Sequence, residues 1–164
     1  MAGLFPLLVS CAPPETPTLG TSREITPEDE ARALADSVST LEAFVPAGMN
    51  LDYPADASSD LQGNNQSRRW VLSAASDSDA VSGTAALIER AVADGWVQNG
   101  PARMVPYGIG LNATAYTLNR STPDGEFTLD VVLYPRAVQE LFGHGSRPEV
   151  WGEVTELEIA GVGG

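Results

Sequence analysis

Apolar residues recur at helical spacing in two stretches of the chain. In the first, Thr26 is suited to cap a helix, and apolar side chains follow every three or four positions until Pro46: Ala31, Leu34, Ala35, Val38, Leu41 and Val45. In the second, which begins after residues 77–79 and stops at Gly95, the same spacing links Ala80, Thr84, Leu87, Ile88 and Ala91. We therefore expect two amphipathic helices, each of which buries one stripe against an apolar partner.

Alternation of apolar and polar residues, which is typical of half-buried strands, marks much of the remaining chain. It predicts five strands, at residues 69–75, 96–105, 111–119, 126–134 and 153–160, and turn formers at 99–101 interrupt the second. The third and fourth strands flank a connection rich in turn formers and are expected to pair as a hairpin. A short helix is expected over residues 135–142. Residues 49–67 show neither period and are predicted to be a long polar connection.

This order of elements predicts an α+β fold, a two-layer sandwich in which two helices cover one face of a mostly antiparallel sheet of about five strands. The other face is expected to carry a mixed set of side chains: Thr114, Thr128, Asp130, Val132 and Tyr134. A mixed face can meet solvent, a second copy of the chain or a ligand, and the pattern leaves these three alternatives open.

Composition and charge limit the classes of partner. The chain has 164 residues and a formal net charge of −13, with 22 acidic residues against 9 basic ones, all of them Arg. Because an acidic surface repels phosphate backbones, no nucleic-acid partner is expected. A single Cys excludes an internal disulfide and a multi-cysteine zinc site. The length suits one domain, which we place at residues 26–160, followed by a frayed tail at 161–164.

Residue types that support catalysis are sparse. His144 is the only His, and no Ser lies in a Gly-x-Ser-x-Gly motif. Gly108, Ile109 and Gly110 lack the third Gly of a nucleotide-binding motif and the helix that should follow. We therefore expect no catalytic residue, no metal and no cofactor. An unrecognised hydrolase remains as a hypothesis, which requires a pocket near His144 lined by a Ser or a carboxylate.

The amino terminus carries the most informative motif. Residues 1–10 form an uncharged, largely apolar run that ends at Cys11, and it is too short to span a bilayer as a helix, which takes about 20 residues. Leu8-Val9-Ser10-Cys11 resembles the lipobox of bacterial lipoproteins, in which aliphatic and small residues precede the Cys that is lipidated. No Lys or Arg precedes the run, so residues 1–11 are interpreted as a truncated signal peptide with its lipobox.

The whole chain looks like a small extracytoplasmic lipoprotein of the actinobacterial type, with a lipobox, a Pro- and Thr-rich tether at residues 12–25 and an acidic α+β domain. The resemblance implies that Cys11 carries a diacylglyceryl group, with acyl chains such as palmitate, at the outer face of the cell membrane. The tether would span about 20 Å as a flexible coil. We therefore expect an anchored accessory or binding domain without catalysis, whose partner is an envelope protein or a small ligand.

The alternative is a soluble domain that acts by protein–protein contact through its open sheet face, with the apolar amino terminus incidental. The genomic sequence upstream of Met1 distinguishes the two hypotheses. An in-frame start preceded by Lys or Arg supports the anchor, whereas a stop codon immediately upstream favours the soluble domain.

Overall fold

The computed structural model describes residues 27–59, 66–123 and 125–157, which form helices on an antiparallel sheet. The described helices are α1 Pro27–Glu42, α2 Asp77–Ala93 and α3 Arg136–Phe142. The described strands are β1 Met49–Ser59, β2 Gln66–Ala74, β3 Val97–Gln98, β4 Arg103–Pro106, β5 Asn112–Thr122, β6 Gly125–Tyr134 and β7 Glu149–Leu157. None of the described helices is long and apolar enough to cross a membrane. The predicted signal segment, tether and frayed tail lie outside the described residues.

The seven strands form one open sheet in the order β1-β2-β7-β6-β5-β3, with β4 paired to β5 beside β3. Every pairing is antiparallel, and β5 and β6 form the predicted hairpin. The last strand, β7, lies in the centre between β2 and β6, so residues distant in sequence become neighbours. The α+β class and the antiparallel sheet are confirmed. The expectation of about five strands is wrong, because β1 carries no strand pattern and residues 97–106 supply two short strands.

The predicted polar connection at residues 49–67 is wrong, since Met49–Ser59 is an edge strand paired with β2. The pairing of β1 with β2 is made by backbone hydrogen bonds, which do not depend on the identity of the side chains. The three residues after Met49 are exposed, so no buried face enforces alternation. Register shifts between Leu51 and Tyr53 and between Tyr53 and Asp56 break the two-residue period further.

The interrupted strand predicted at residues 96–105 is confirmed as β3 and β4, which pair with β5 on either side of a break. The last predicted strand is confirmed with a different start. β7 begins at Glu149 rather than at residue 153, and residues 158–160 lie outside the described part of the chain. The early start brings Trp151 into the sheet.

One hydrophobic core joins α1, α2 and one face of the sheet. Three residues of the predicted stripe of α1 are buried within it, since Leu34, Val38 and Leu41 are at most 1% exposed. The inclusion of Val45 is wrong, because α1 ends at Glu42 and Val45 is 40% exposed. The stripe of α2 joins the same cluster, and the sheet contributes Trp70, Leu72, Leu118, Phe127, Leu129, Val131, Leu133, Val150 and Val154. Full burial of such a side chain stabilises the fold by about 1.5–3 kcal/mol relative to leaving it exposed.

Hydrogen bonds at the start of α2 join that helix to α3. The N-cap is Ser76, so α2 begins at Asp77 rather than after residues 77–79, and the hydroxyl oxygen of Ser76 accepts from the backbone N–H of Asp79 at 3.1 Å. The carboxylate of Asp77 accepts from the backbone N–H of Arg136 at 2.9 Å. The first turn of α2 therefore fixes the start of α3 at this end of the sheet. The predicted end of α3 is confirmed, because Gly143 adopts a positive φ of 69° as its C-cap.

A bidentate ion pair connects α1 to the sheet. Arg68 in β2 donates from Nε to Oε1 of Glu42 at 2.6 Å and from Nη2 to Oε2 at 3.0 Å. Both side chains are about one-fifth exposed. Thr40 also donates to the carboxylate of Asp94, which follows α2, at 2.5 Å. These contacts orient α1 against β2 and α2, since a bidentate pair constrains direction as well as distance.

Two buried glycines allow a test of packing. A Cβ atom at Gly152 in β7 would lie much closer to the indole ring of Trp70 than van der Waals contact allows, and Trp70 is only 1% exposed. A Cβ atom at Gly83 in α2 would meet the flexible thioether of Met49. Gly152→Ala should therefore lower the free energy of unfolding by about 1–3 kcal/mol, measured by urea denaturation.

Gly83→Ala is the matched comparison. This variant gains about 1 kcal/mol of helix propensity, which offsets the cost of displacing the side chain of Met49. Gly83→Ala should therefore lose less stability than Gly152→Ala. An equal or larger loss for Gly83→Ala would contradict the packing described here.

Candidate binding cleft on the second sheet face

Successive side chains of a strand point to opposite faces of the sheet. In β6 the odd-numbered residues 127–133 belong to the core, whereas their even-numbered neighbours are half-buried or exposed. We name the side that carries the even-numbered residues of β6 the second face. Thr128, Asp130, Val132 and Tyr134 lie there as the sequence predicts, and the mixed character of this face is confirmed.

The predicted position of Thr114 on this face is wrong. Thr114 pairs with Leu133, a core residue, and directly opposed residues share one face. The register instead places four other β5 residues on the second face: Ala113, Ala115, Thr117 and Asn119. The sequence does not determine which residues of β5 face the core, because apolar residues occur on both sides of this strand.

The register aligns side chains from four strands into two rows across the second face. The charged row runs through β2, β7, β6 and β5 and consists of Arg69, Glu153, Asp130 and Thr117. The apolar row runs beside it and consists of Val71, Trp151, Val132 and Ala115. Since neighbouring strands lie about 4.8 Å apart, each row extends roughly 14 Å across the sheet.

A cleft of ≈ 170 Å³ lies where these two rows meet. Its lining comes from β2, β6 and β7 and consists of Arg69, Asp130, Val132, Tyr134, Trp151 and Glu153. Small-ligand sites are typically concave, with apolar and aromatic walls and a few placed polar groups. The cleft has this composition on a modest scale.

Arg69 links the charged wall of the cleft to the aromatic one. Its Nη2 donates to Oε2 of Glu153 at 3.1 Å, and its guanidinium lies 5.6 Å from the ring centroid of Trp151. The two charged side chains are 47% and 34% exposed, so the pair contributes only about 0–1 kcal/mol to stability. The contacts act mainly by holding the three side chains in position.

Asp130 is held by a chain of hydrogen bonds that reaches the edge of the sheet. Its Oδ1 accepts from the hydroxyl of Thr117 at 2.7 Å. The same hydroxyl accepts from Nη2 of Arg103 in β4 at 3.4 Å. The carboxylate is therefore oriented by β5 and β4 and directed along the charged row.

An aromatic wall, which consists of Trp151, Tyr134, Tyr107 and Phe142, extends from the cleft to α3. Neighbouring rings meet edge to face, with centroids 5.9 Å, 6.0 Å and 5.3 Å apart in that order. The indole N–H of Trp151 donates to Oε2 of Glu149 at 2.9 Å, which fixes the orientation of the ring. The wall is thus assembled from β7, β6, the β4–β5 loop and α3.

Tyr134 is the residue at which the aromatic wall meets the cleft. The pKa of Tyr134 is raised from 10.0 to about 12, chiefly by burial and also by the hydrogen bond with Tyr107 and the charges of Tyr107 and Glu153. The positive charge of Arg69 opposes these effects. The phenol therefore stays neutral well above physiological pH.

His144, the described residue singled out from the sequence as candidate chemistry, does not line this cleft. Cys11 lies outside the described residues. His144 is exposed, and its ring centroid lies 6.2 Å from that of Phe142 at the far end of the aromatic wall. Within the described ranges, no group of three or more His, Cys, Asp or Glu side chains could hold a metal ion. The pocket near His144 that a hydrolase requires is a different location from the cleft found here.

Sequence analysis did not single out Arg69, Trp151 or Glu153 as site residues. Asp130, Val132 and Tyr134 were placed on the correct face because β6 alternates cleanly. The contact between Arg69 and Glu153 joins positions 84 residues apart, and no local pattern signals it. The only available signal was that both residues occur in predicted strands.

The raised pKa of Tyr134 gives the first test of this site. The unfolded chain loses the phenolic proton near pH 10.0 and the folded chain near pH 12, so the stabilisation is complete below pH 10 and is lost as pH rises towards 12. The free energy of unfolding, measured by urea denaturation at about pH 9 and about pH 11, should fall more steeply with pH for the wild type than for Tyr134→Phe. Parallel declines in the two proteins would contradict the environment described for Tyr134.

No family model matches the chain, and no curated protein sequence matches it. The chemistry of the second face is therefore the basis on which a function is proposed.

Proposed function

We propose that this protein is a membrane-anchored extracytoplasmic lipoprotein that acts as an accessory or binding domain, and that the cleft on the second face is its binding site. The observation that carries the proposal is the fixed set of charged and aromatic groups around a cleft of ≈ 170 Å³. Groups that are ordered before a ligand arrives lower the entropic cost of binding. The cleft is therefore suited to recognition.

The contacts around the cleft favour binding over catalysis. Arg69 is engaged by Glu153, Asp130 by Thr117, and the indole of Trp151 by Glu149. Covalent catalysis places a nucleophile against a base that activates it. Here each polar group faces a partner that orients it, which supports a binding role without catalysis.

The two-layer arrangement is part of the proposal. In it, α1 and α2 form one layer, the sheet forms the other, and the second face points away from both helices. The common core of both helices with the first face of the sheet supports this arrangement. The ring contact between Tyr107 and Phe142 and the hydrogen bond from Arg136 to Asp77 would keep α3 at the margin of the second face.

Lipidation of Cys11 would hold the domain at the outer face of the membrane. A diacylglyceryl group supplies two chains, and stable anchoring takes two membrane signals. Residues 12–25 would then act as a flexible tether that spans about 20 Å. The net charge of −13 disfavours flat contact with anionic lipid, so the folded domain would stand clear of the membrane.

Metabolic labelling tests the anchor. The chain, expressed with its upstream genomic sequence in a bacterial host that processes lipoproteins, should incorporate an alkyne fatty acid, and Cys11→Ser should not. A matched control moves the thiol along the tether: Cys11→Ser combined with Ser22→Cys should also stay unlabelled, since processing requires the motif before the Cys. An unlabelled wild type, or equal labelling of Cys11→Ser, would rule out the anchor.

Chemical-shift mapping on the full chain tests the cleft. Mixtures of neutral sugars, amino acids, nucleosides and phenols serve as probes, and at least one class should shift signals of Arg69, Asp130 and Trp151. Trp151→Ala should remove these shifts, because it deletes one wall of the cleft. Val81→Ala, a truncation at an exposed position of α2, should leave them unchanged. If no probe class shifts the cleft signals, the binding proposal is wrong.

A second candidate function, protein–protein contact by a soluble domain, is favoured by one observation. Ile109 is 99% exposed at a φ of 47°, a conformation that is strained for a β-branched residue, and Phe142, at the end of the aromatic wall, is 51% exposed. This alternative makes the opposite prediction in the labelling experiment. The native protein would lack the acyl group and be recovered in the soluble fraction of its host.

A further inference from the structure

We propose that the ligand of the cleft is a neutral, hydroxyl-rich chain, a segment of a saccharide that lies along the charged row across β2, β7, β6 and β5. This inference rests on the proposed binding function and names the chemical class that the cleft would recognise. It is carried by the charge balance of the cleft, by its free acceptors and by the aromatic wall beside them.

The charges around the cleft favour a neutral ligand. Arg69 lies next to Glu153, and Arg103 reaches Asp130 through the hydroxyl of Thr117, so each carboxylate that lines the cleft has a cation in its hydrogen-bond network, while the carboxylate of Glu149 is engaged by the indole N–H of Trp151. An anion in the cleft would meet both carboxylates, and a cation would meet the guanidinium group of Arg69. Sugar hydroxyls both donate and accept, so a neutral polyol can use both kinds of group without an unpaired charge.

The cleft retains hydrogen-bonding capacity after its internal contacts are made. Thr117 engages Oδ1 of Asp130, and Arg69 engages Oε2 of Glu153. Within the described part of the chain, the second oxygen of each carboxylate has no hydrogen-bond partner. Ionised carboxylates form hydrogen bonds about twice as strong as neutral acceptors do, so these two oxygens are suited to accept from adjacent hydroxyls.

The geometry of the sheet suits a chain rather than a single compact molecule. The charged row contributes one polar side chain for every strand, at intervals of about 4.8 Å. This interval is close to the length of one pyranose unit. A saccharide that crosses the strands can therefore present one unit to each strand, with hydroxyls over Glu153, Asp130 and Thr117.

The aromatic wall provides the apolar part of the site. A pyranose has a C–H face that packs on an aromatic ring, and the ring of Trp151 is fixed by Glu149, Arg69 and Tyr134. The apolar row adds Val132 directly opposite Trp151. The neutral phenol of Tyr134 supplies a further hydroxyl at this margin.

Calorimetric titration of the full chain with matched trisaccharides tests the inference. Maltotriose, cellotriose and triacetylchitotriose are neutral, trigalacturonate is an anion, and deacetylated chitotriose is a cation. At least one neutral trisaccharide should bind, and both charged ones should bind about tenfold more weakly or not at all. A charged trisaccharide that binds as tightly as the best neutral one would overturn the inference.

Variants locate the binding. Asp130→Asn should weaken the best neutral trisaccharide about tenfold, because it removes a charged acceptor. Asp36→Asn removes the same charge from an exposed position of α1 and should leave affinity unchanged. Trp151→Phe retains a ring and should bind more tightly than Trp151→Ala, with amide spectra used to verify that each variant is folded. Equal effects of Asp130→Asn and Asp36→Asn would also overturn the inference.

The outcomes separate this inference from the proposed function. If no trisaccharide binds while an amino acid, nucleoside or phenol shifts the cleft signals, the cleft binds another class of ligand and only the inference fails. If no probe of any class binds, both fail. Concentration-dependent dimerisation that Trp151→Ala abolishes would show that a second copy occupies the second face, and it would overturn the saccharide as occupant.

Discussion

The register of β7 between β2 and β6 is the constraint on which both the core and the cleft depend. Because side chains alternate with a period of two, a slip of one residue would turn Trp151 and Glu153 into the core and expose Val150 and Val154. Gly152 specifies the register from the core side, since the indole of Trp70 occupies the space that a side chain would need. The packing that places Trp70 in the core thus also sets the opposite face.

The individual contacts on the second face are weak, and the sheet supplies their precision. Arg69 and Glu153 form a partly exposed pair that contributes little stability. Their side chains nevertheless stay adjacent because the backbones of β2 and β7 are paired at those residues. A rigid element positions a site more accurately than a loop does. The hydrogen bond from Thr117 to Asp130 follows the same rule across β5 and β6.

Local patterns predicted the elements whose burial is regular. The stripes of α1 and α2 and the alternation of β6 were readable because each buries one side and presents the other to a different environment. β1 was missed because an edge strand can pair through its backbone with exposed side chains and shifted register. The phase of β5, and with it the position of Thr114, was missed because both of its sides carry apolar residues.

The local sequence was therefore sufficient to predict the class of fold, the helices α1 and α2, and the face on which three cleft residues of β6 lie. Helical and strand periods depend on residues that are close in sequence. It also contained the lipobox-like motif at Cys11, which depends on contiguous residues alone. The cleft as a whole required the folded sheet. Its carboxylates, guanidinium and indole come from strands that are adjacent only because β7 inserts between β2 and β6, and pairing across such separations is set by packing of the core.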